Sequence, residues 1–380
     1  MKTEKIGYIE AISIITLVII NKVILILPKE IISNTGSSAW LNTLYVSIIA
    51  ILLAWFISFL FKNFQGMDIL DVSKFLGGTA FKNLIGILYI ILLIIVPIFT
   101  LKNFTETLKA IYFRNSPLIF ILLFFLVSTT IANRFSTKVL AKANLILMIL
   151  SFLGIALILV ASIKNFSVDQ LFPILGYGAK ETFVTGLGSL FSFSSIGYLF
   201  LLGPLLDKPQ DFKKISILSI TASGFYLFST VSCILLSFSC SFKSGESISL
   251  YLLTRTIDFG RFIQRIDAVF IFMWIVSTIL YICFAIHFAI YLFQKITKIE
   301  DSNCLNYTIH LFILAVLLIP VGVSTFNTIV GTTFKILTFA LLFVGSTLIL
   351  IFANLKKKTF NYEGTLKWKK RYLLFFVFYY

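Results

Sequence analysis

Asn21 and Lys22 stand side by side inside the first long apolar run, Ile6 to Leu27, which ends at Pro28. A lysine near mid-bilayer costs about 2.5–3.5 kcal/mol on insertion scales, and such residues as a rule face a cavity, a partner or a pathway. The chemistry offered is a fixed ammonium beside an amide that both donates and accepts. The competing reading is snorkelling, with the ammonium reaching back to the headgroups past Pro28, about 9 Å away. Helical side chains lean toward their own N-terminus, so with a cytoplasmic N-terminus Lys22 leans toward the bilayer centre. That geometry favours the cavity reading, with the pair as a polar break in the span.

A second group lies between Phe183 and Pro204, where Gly186, Gly188, Ser192, Ser194, Ser195, Gly197 and Gly203 replace the leucine and isoleucine of other spans. Its hydroxyls donate and accept, while its glycines permit either unwound backbone or close helix packing. Trp274, Ser277, Thr278 and Tyr281 share one helical face and are expected to wall a pocket, with aromatic packing the alternative for Trp274. A charged Lys22 needs a partner in apolar surroundings, and Glu106 is the expected one. A surface pair of Glu106 with Lys102 or Lys109 is the competing account. His287 reads either as a proton relay or as a packing residue. The ligand-binding expectation therefore comprises Asn21, Lys22, Glu106, Ser192, Ser194, Ser195, Gly197, Trp274, Thr278 and Tyr281.

Elements that position these residues must cross a membrane. The chain has 380 residues, 59% hydrophobic and 13% charged, with a mean hydropathy of +1.00. About ten apolar runs are long enough to span: 8–27, 39–61, 84–112, 117–133, 139–163, 184–206, 214–239, 265–294, 305–323 and 331–353. The expected fold class is an all-α polytopic membrane protein. It is divided five and five, because both halves open on an interrupted span; such breaks in register predict an inverted repeat with its binding site at the breaks. Residues 1–353 form one transmembrane domain, with repeats at about 8–163 and 184–353, followed by a basic tail at 354–380. The first run is too long for a signal peptide and lacks a small-residue cleavage pattern. The segment Lys62 to Lys82 predicts a short interfacial helix ended by Gly77-Gly78, and Ser247 to Ile263 predicts a second amphipathic stretch.

The net charge of +16 is spread over the loops, which argues against nucleic acid as a partner. With a cytoplasmic N-terminus about 20 of the 32 Lys and Arg residues fall inside, so both termini are placed in the cytoplasm. The 16 acidic residues are dispersed and only His287 and His310 are present. No acid–base or metal-binding constellation emerges, so neither an enzyme, a metal nor a cofactor is expected. Cys233, Cys240, Cys283 and Cys304 lack paired spacings and read as apolar packing residues.

From Ile9 to Ala353 the chain resembles the B subunits of the germinant receptors of bacterial endospores, within the amino acid–polyamine–organocation transporter superfamily. The resemblance rests on Leu27-Pro28, Gly36, Ala39-Trp40-Leu41, Lys62, Gly66, Leu76-Gly77 and Gly86 to Tyr89. It continues through Phe104, Glu106, Ser116-Pro117, Leu171, Pro173, Phe191, Phe193, Gly197 and Pro204. Arg265, Asp267, Ala268 and Trp274 close it. The resemblance implies a LeuT-like fold with broken first and sixth helices, located in the spore inner membrane or cell membrane. It implies a small nutrient ligand such as an amino acid, with an A-type membrane subunit and a C-type lipoprotein as partners. Where superfamily transporters often carry a glycine-rich break, this chain has Ile20-Asn21-Lys22-Val23, which shifts the expectation from transport toward sensing.

Overall fold

The computed structural model describes residues 4–25, 27–238, 249–255, 266–299 and 301–358. The first apolar run forms α1 (Tyr8–Leu25) and α2 (Leu27–Thr35). Then come α3 (Ala39–Phe61), α4 (Ile69–Ile111), α5 (Leu118–Ala132) and α6 (Thr137–Ser162). The Gly/Ser-rich region forms α7 (Ala179–Phe183), a 3₁₀ segment (Thr185–Phe193) and α8 (Ile196–Leu202). It leads into α9 (Phe212–Ser237), α10 (Ser249–Arg255), α11 (Ile266–Thr297) and α12 (Ser302–Leu317). Finally α13 (Val323–Phe326) passes through a π-helical turn (Asn327–Gly331) into α14 (Thr332–Thr338), and a second π-helical stretch (Phe339–Gly345) leads to helical residues 346–358.

Among the described residues seven helical stretches are long and apolar enough to cross a membrane, and α5 and α12 are shorter apolar helices. The chain is thus a polytopic all-helical membrane protein. Its outer surface agrees: Leu44, Ile48, Leu52, Trp55 and Phe59 form an exposed apolar stripe along α3, and Ile146, Ile149, Leu153, Leu157 and Val160 form another along α6. Contiguous apolar faces of this extent belong against lipid. By contrast α1, apolar over most of its circumference, is largely buried, packed between α6, α9 and α11, as a helix with so little polar surface must be.

The expected break at Asn21-Lys22 requires correction. Both residues lie within continuous α1, and the new helix begins at Leu27 with Pro28 in its first turn, where a missing N–H costs nothing. The second expected irregularity lies where the glycines and serines predicted it, since Thr185–Phe193 is 3₁₀ instead of α. The interfacial helix also ends as read. Gly78 adopts φ 77°, ψ −166° inside α4 and separates a short first arm from the long second one. Only the Ser249–Arg255 part of the second amphipathic stretch is described; Asp258, Arg261, Arg265, Cys240 and the tail beyond Lys358 lie outside the described residues.

Two devices fix the end of the bundle that holds the first arm of α4. Asp68 caps α4, accepting from Asp71 N at 2.9 Å while Asp71 Oδ2 accepts from Asp68 N at 3.4 Å. Lys295 Nζ at the end of α11 lies 2.6 Å from both carboxylates, and Tyr291 donates to Asp68 at 2.7 Å. Nearby, Ile6 N donates to the Leu205 carbonyl at 2.8 Å and Asp207 N donates to the Ile6 carbonyl at 3.0 Å, joining the start of the first span to the end of the sixth. Gly203 lets the end of the sixth span lie against the segment before α4, because a Cβ there would stand 2.0 Å from the Met67 carbonyl oxygen. Gly203→Ala is therefore expected to lower stability by about 3 kcal/mol, at the upper end of overpacking costs because the obstacle is backbone. A thermal unfolding midpoint equal to wild type in detergent would refute that account.

Candidate functional site

A cavity of about 460 Å³ opens where α1 gives way to α2 and faces the 3₁₀ segment. α1 contributes Asn21 and Lys22, α2 Glu30, α4 Phe99 and Asn103, and the 3₁₀ segment Gly188, Ser189 and Ser192. Tyr281 of α11, Asn327 of the π turn and Lys335 of α14 complete the wall.

Lys22 Nζ donates to the Phe191 carbonyl at 3.2 Å and to Ser194 Oγ. The ammonium is turned into the protein and binds the irregular segment, so snorkelling is not its arrangement. The Phe191 carbonyl accepts from Ser194 N at 3.2 Å in the 3₁₀ turn and receives the lysine with its second lone pair. Asn21 Nδ2 donates to Thr278 Oγ1 at 2.8 Å, and Thr278 donates on to the Trp274 carbonyl at 2.9 Å. Asn21 Oδ1 and Ser192 Oγ are buried and have no hydrogen-bond partner among the described residues. An orphaned buried polar atom carries a desolvation cost of about 1–3 kcal/mol, which a ligand would relieve.

Four other polar groups of the wall are matched in pairs, while the buried Thr338 Oγ1 has no partner among the described residues. Asn103 and Asn327 exchange reciprocal amide hydrogen bonds at 2.9 and 2.8 Å. Glu30 and Lys335 form an ion pair, part-exposed at the mouth. Phe99 stacks on Phe326 and Phe334 with ring centroids 6.4 and 6.1 Å apart. The wall is thus mixed, with Asn21, Lys22 and Ser192 on α1 and the 3₁₀ segment, and the rings of Phe99 and Phe334 beside Asn103 and Lys335 on α4 and α14.

Of the ten residues expected from sequence, Asn21, Lys22, Ser192 and Tyr281 line the cavity, while Ser194 and Thr278 touch it through Lys22 and Asn21. The other four stand elsewhere. Glu106 lies 3.9 Å from Lys102, one turn away on α4, and does not line the cavity. The expected Lys22–Glu106 pair is therefore replaced by a local one, because i and i+4 side chains meet on their own helix first. Trp274 is a packing residue, edge-on to Phe104 at 4.5 Å. Ser195 is fully buried away from the cavity, and Gly197 packs on Leu342, beside a small void of about 20 Å³ that also touches Tyr281. His287 Nε2 sits 2.6 Å from Thr137 Oγ1 off the cavity wall, which favours its packing role over a relay. Glu30, Asn103, Asn327 and Lys335 were missed. Lys335 had the same signal as Lys22, an ammonium inside an apolar run.

Residues 5–322 match the family model described as spore germination protein. The chain belongs to the spore germination protein family. Among curated members it is 22% identical over 255 residues to spore germination protein KB of Bacillus subtilis (strain 168), covering 64% of this chain and 67% of that one. It is 21% identical over 224 residues to spore germination protein B2 of the same organism, covering 59% and 61%. Spore germination protein XB of Bacillus anthracis matches at 20% over 344 residues, covering 89% of this chain and 94% of the relative. The family resemblance read from sequence is thereby borne out. The family match ends before Asn327 and Lys335, so the π turn and α14 lie beyond it while Glu30 and the rest of the wall lie within it.

Proposed function

We propose that this member of the spore germination family is the membrane subunit of a nutrient germinant receptor, and that the cavity between α1 and the 3₁₀ segment binds a small zwitterionic nutrient such as an amino acid. The observation that carries the reading is one cavity of about 460 Å³ whose wall includes Asn21, Lys22 and Ser192, with the Lys22 ammonium held at the irregular segment. A ligand carboxylate would accept from Lys22 and Ser192, and its ammonium would donate to Asn21 Oδ1. Sites of about 300–1,000 Å³ with a few convergent polar groups are the ordinary form of small-molecule pockets. Binding signals only if it favours one conformation over another. Lys22 and Asn21 tie α1 to the irregular segment and to α11, so a ligand that competes for these groups biases their packing. An A-type membrane subunit and a C-type lipoprotein would read that change in the spore inner membrane, with both termini cytoplasmic.

A 5+5 inverted repeat accounts for a site set where two helical spans are interrupted. The same interruption supports a second reading, secondary transport, because substrate sites of transporters lie at such breaks. Gly188 separates binding from folding. It lines the cavity, and a Cβ built there meets nothing within 4 Å, so Gly188→Leu would fill the cavity without straining the fold. The expected result is normal insertion with a nutrient response shifted at least about 30-fold, equivalent to about 2 kcal/mol of lost binding. An unshifted dose response of spores carrying Gly188→Leu counts against the cavity as the nutrient site. Concentrative uptake of radiolabelled amino acid by the isolated chain in proteoliposomes would favour transport over sensing.

A further inference from the structure

A second, smaller cavity of about 300 Å³ lies at the end of the bundle where α3 ends and α9 begins, with Lys62, Gln65, Gln210 and Lys213 on its wall. Its floor is Phe61 packed on Phe212, with ring centroids 4.9 Å apart. Lys62 and Lys213 are exposed and make no ion pair among the described residues. Of the two carboxylates nearby in sequence, Asp211 is taken by Lys214 at 3.7 Å, and Asp207 is exposed outside the lining. On the lipid side the cavity continues into Trp55 and Phe59, 47% and 59% exposed and stacked at 6.3 Å. Those rings begin the apolar stripe of α3 that runs on through Leu52 and Ile48. Further charge surrounds the site, since Lys357 reaches the Asn63 carbonyl and Lys356 reaches the Phe75 and Leu76 carbonyls.

We infer that this cavity binds the head group of an anionic phospholipid, of the phosphoglycerol class, with its acyl chain lying along Trp55, Phe59 and the α3 stripe. Two uncommitted ammonium groups suit one phosphodiester, and the Gln65 and Gln210 amides supply donors and acceptors for glycerol hydroxyls. Basic pockets between spans at the headgroup level bind anionic lipids, and tryptophan is enriched at that level. A neutral lipid would leave the two lysines without a counter-charge. The lipid bridges α3 and α9, whose remaining contact is the close packing represented by Gly224 against Ser47.

The test uses the purified full chain in detergent, with native mass spectrometry and thermal unfolding read against added phosphatidylglycerol or phosphatidylcholine. Wild type should retain and be stabilised by phosphatidylglycerol only. The Lys62→Gln/Lys213→Gln pair should lose about fivefold in affinity per lysine, about 25-fold together. A Lys142→Gln/Lys208→Gln pair, both exposed and outside the lining, removes the same net charge and should retain the lipid. Equal retention by both double variants would overturn the inference. So would stabilisation through Lys62 and Lys213 by soluble glycerol phosphate or polyglutamate in place of lipid.

Discussion

Spores carrying Lys22→Met are expected to require at least about 100-fold more nutrient to germinate, corresponding to about 2.7 kcal/mol. The substitution keeps the length and apolar stem of the side chain and removes its charge. What is lost is the ammonium that donates to the Phe191 carbonyl and to Ser194 Oγ, and with it the cation offered to a ligand carboxylate. Hydrogen bonds to a charged group contribute about 1.5–3 kcal/mol each, so losing one ligand contact accounts for the shift. Insertion should be preserved, because methionine at this depth relieves the cost of a lysine. Immunoblotting of membranes for the variant alongside a nutrient dose response checks both halves. An unchanged response with normal protein levels would show that Lys22 only braces the 3₁₀ segment.

The largest effect on stability is expected from Asp68→Ala, about 3–5 kcal/mol, because it strips one partner from a buried ion pair. Asp68 is fully buried and joins two elements: it caps α4, and on α11 it receives the Tyr291 hydroxyl and pairs with Lys295. Asp71 remains to receive Lys295, which keeps the loss from being larger. Asp68→Asn retains a capping oxygen and should fall between the two proteins, since asparagine is as good an N-cap as aspartate. Thermal unfolding of the three proteins in one detergent measures this order. An alanine variant as stable as wild type would mean that the α4 cap and the α11 end are held by other contacts.

How far such a site can be read from sequence depends on whether its causes are local. The 3₁₀ segment was legible because glycine and serine lower the cost of leaving the α ladder over consecutive residues. The end of the interfacial helix at Gly77-Gly78 was legible for a similar reason, a backbone conformation with positive φ. The break in the first span was placed too early. Asn21 and Lys22 satisfy their polar groups across helices, through Thr278, Phe191 and Ser194, so the backbone has no need to open there, and the new helix starts around Pro28. Long-range partners were the least legible. Asn327 faces Asn103, Lys335 faces Glu30 and Lys295 faces Asp68 and Asp71, and nothing in the spacing along the chain announces any of them. For Glu106 the sequence offered a distant partner, Lys22, and a local one, and it is Lys102 four residues before it that stands 3.9 Å away.

The bond between Ile6 and its neighbours Leu205 and Asp207 is made by main-chain atoms alone. Such a clasp carries no residue code. It persists through any exchange of side chains that leaves the N–H donors in place, so an alanine scan passes over it in silence. Two spans that face each other across a cavity are thereby pinned at one tip by a joint that sequence drift cannot readily erode, and the freedom left to them is that of a pair of tongs about its rivet.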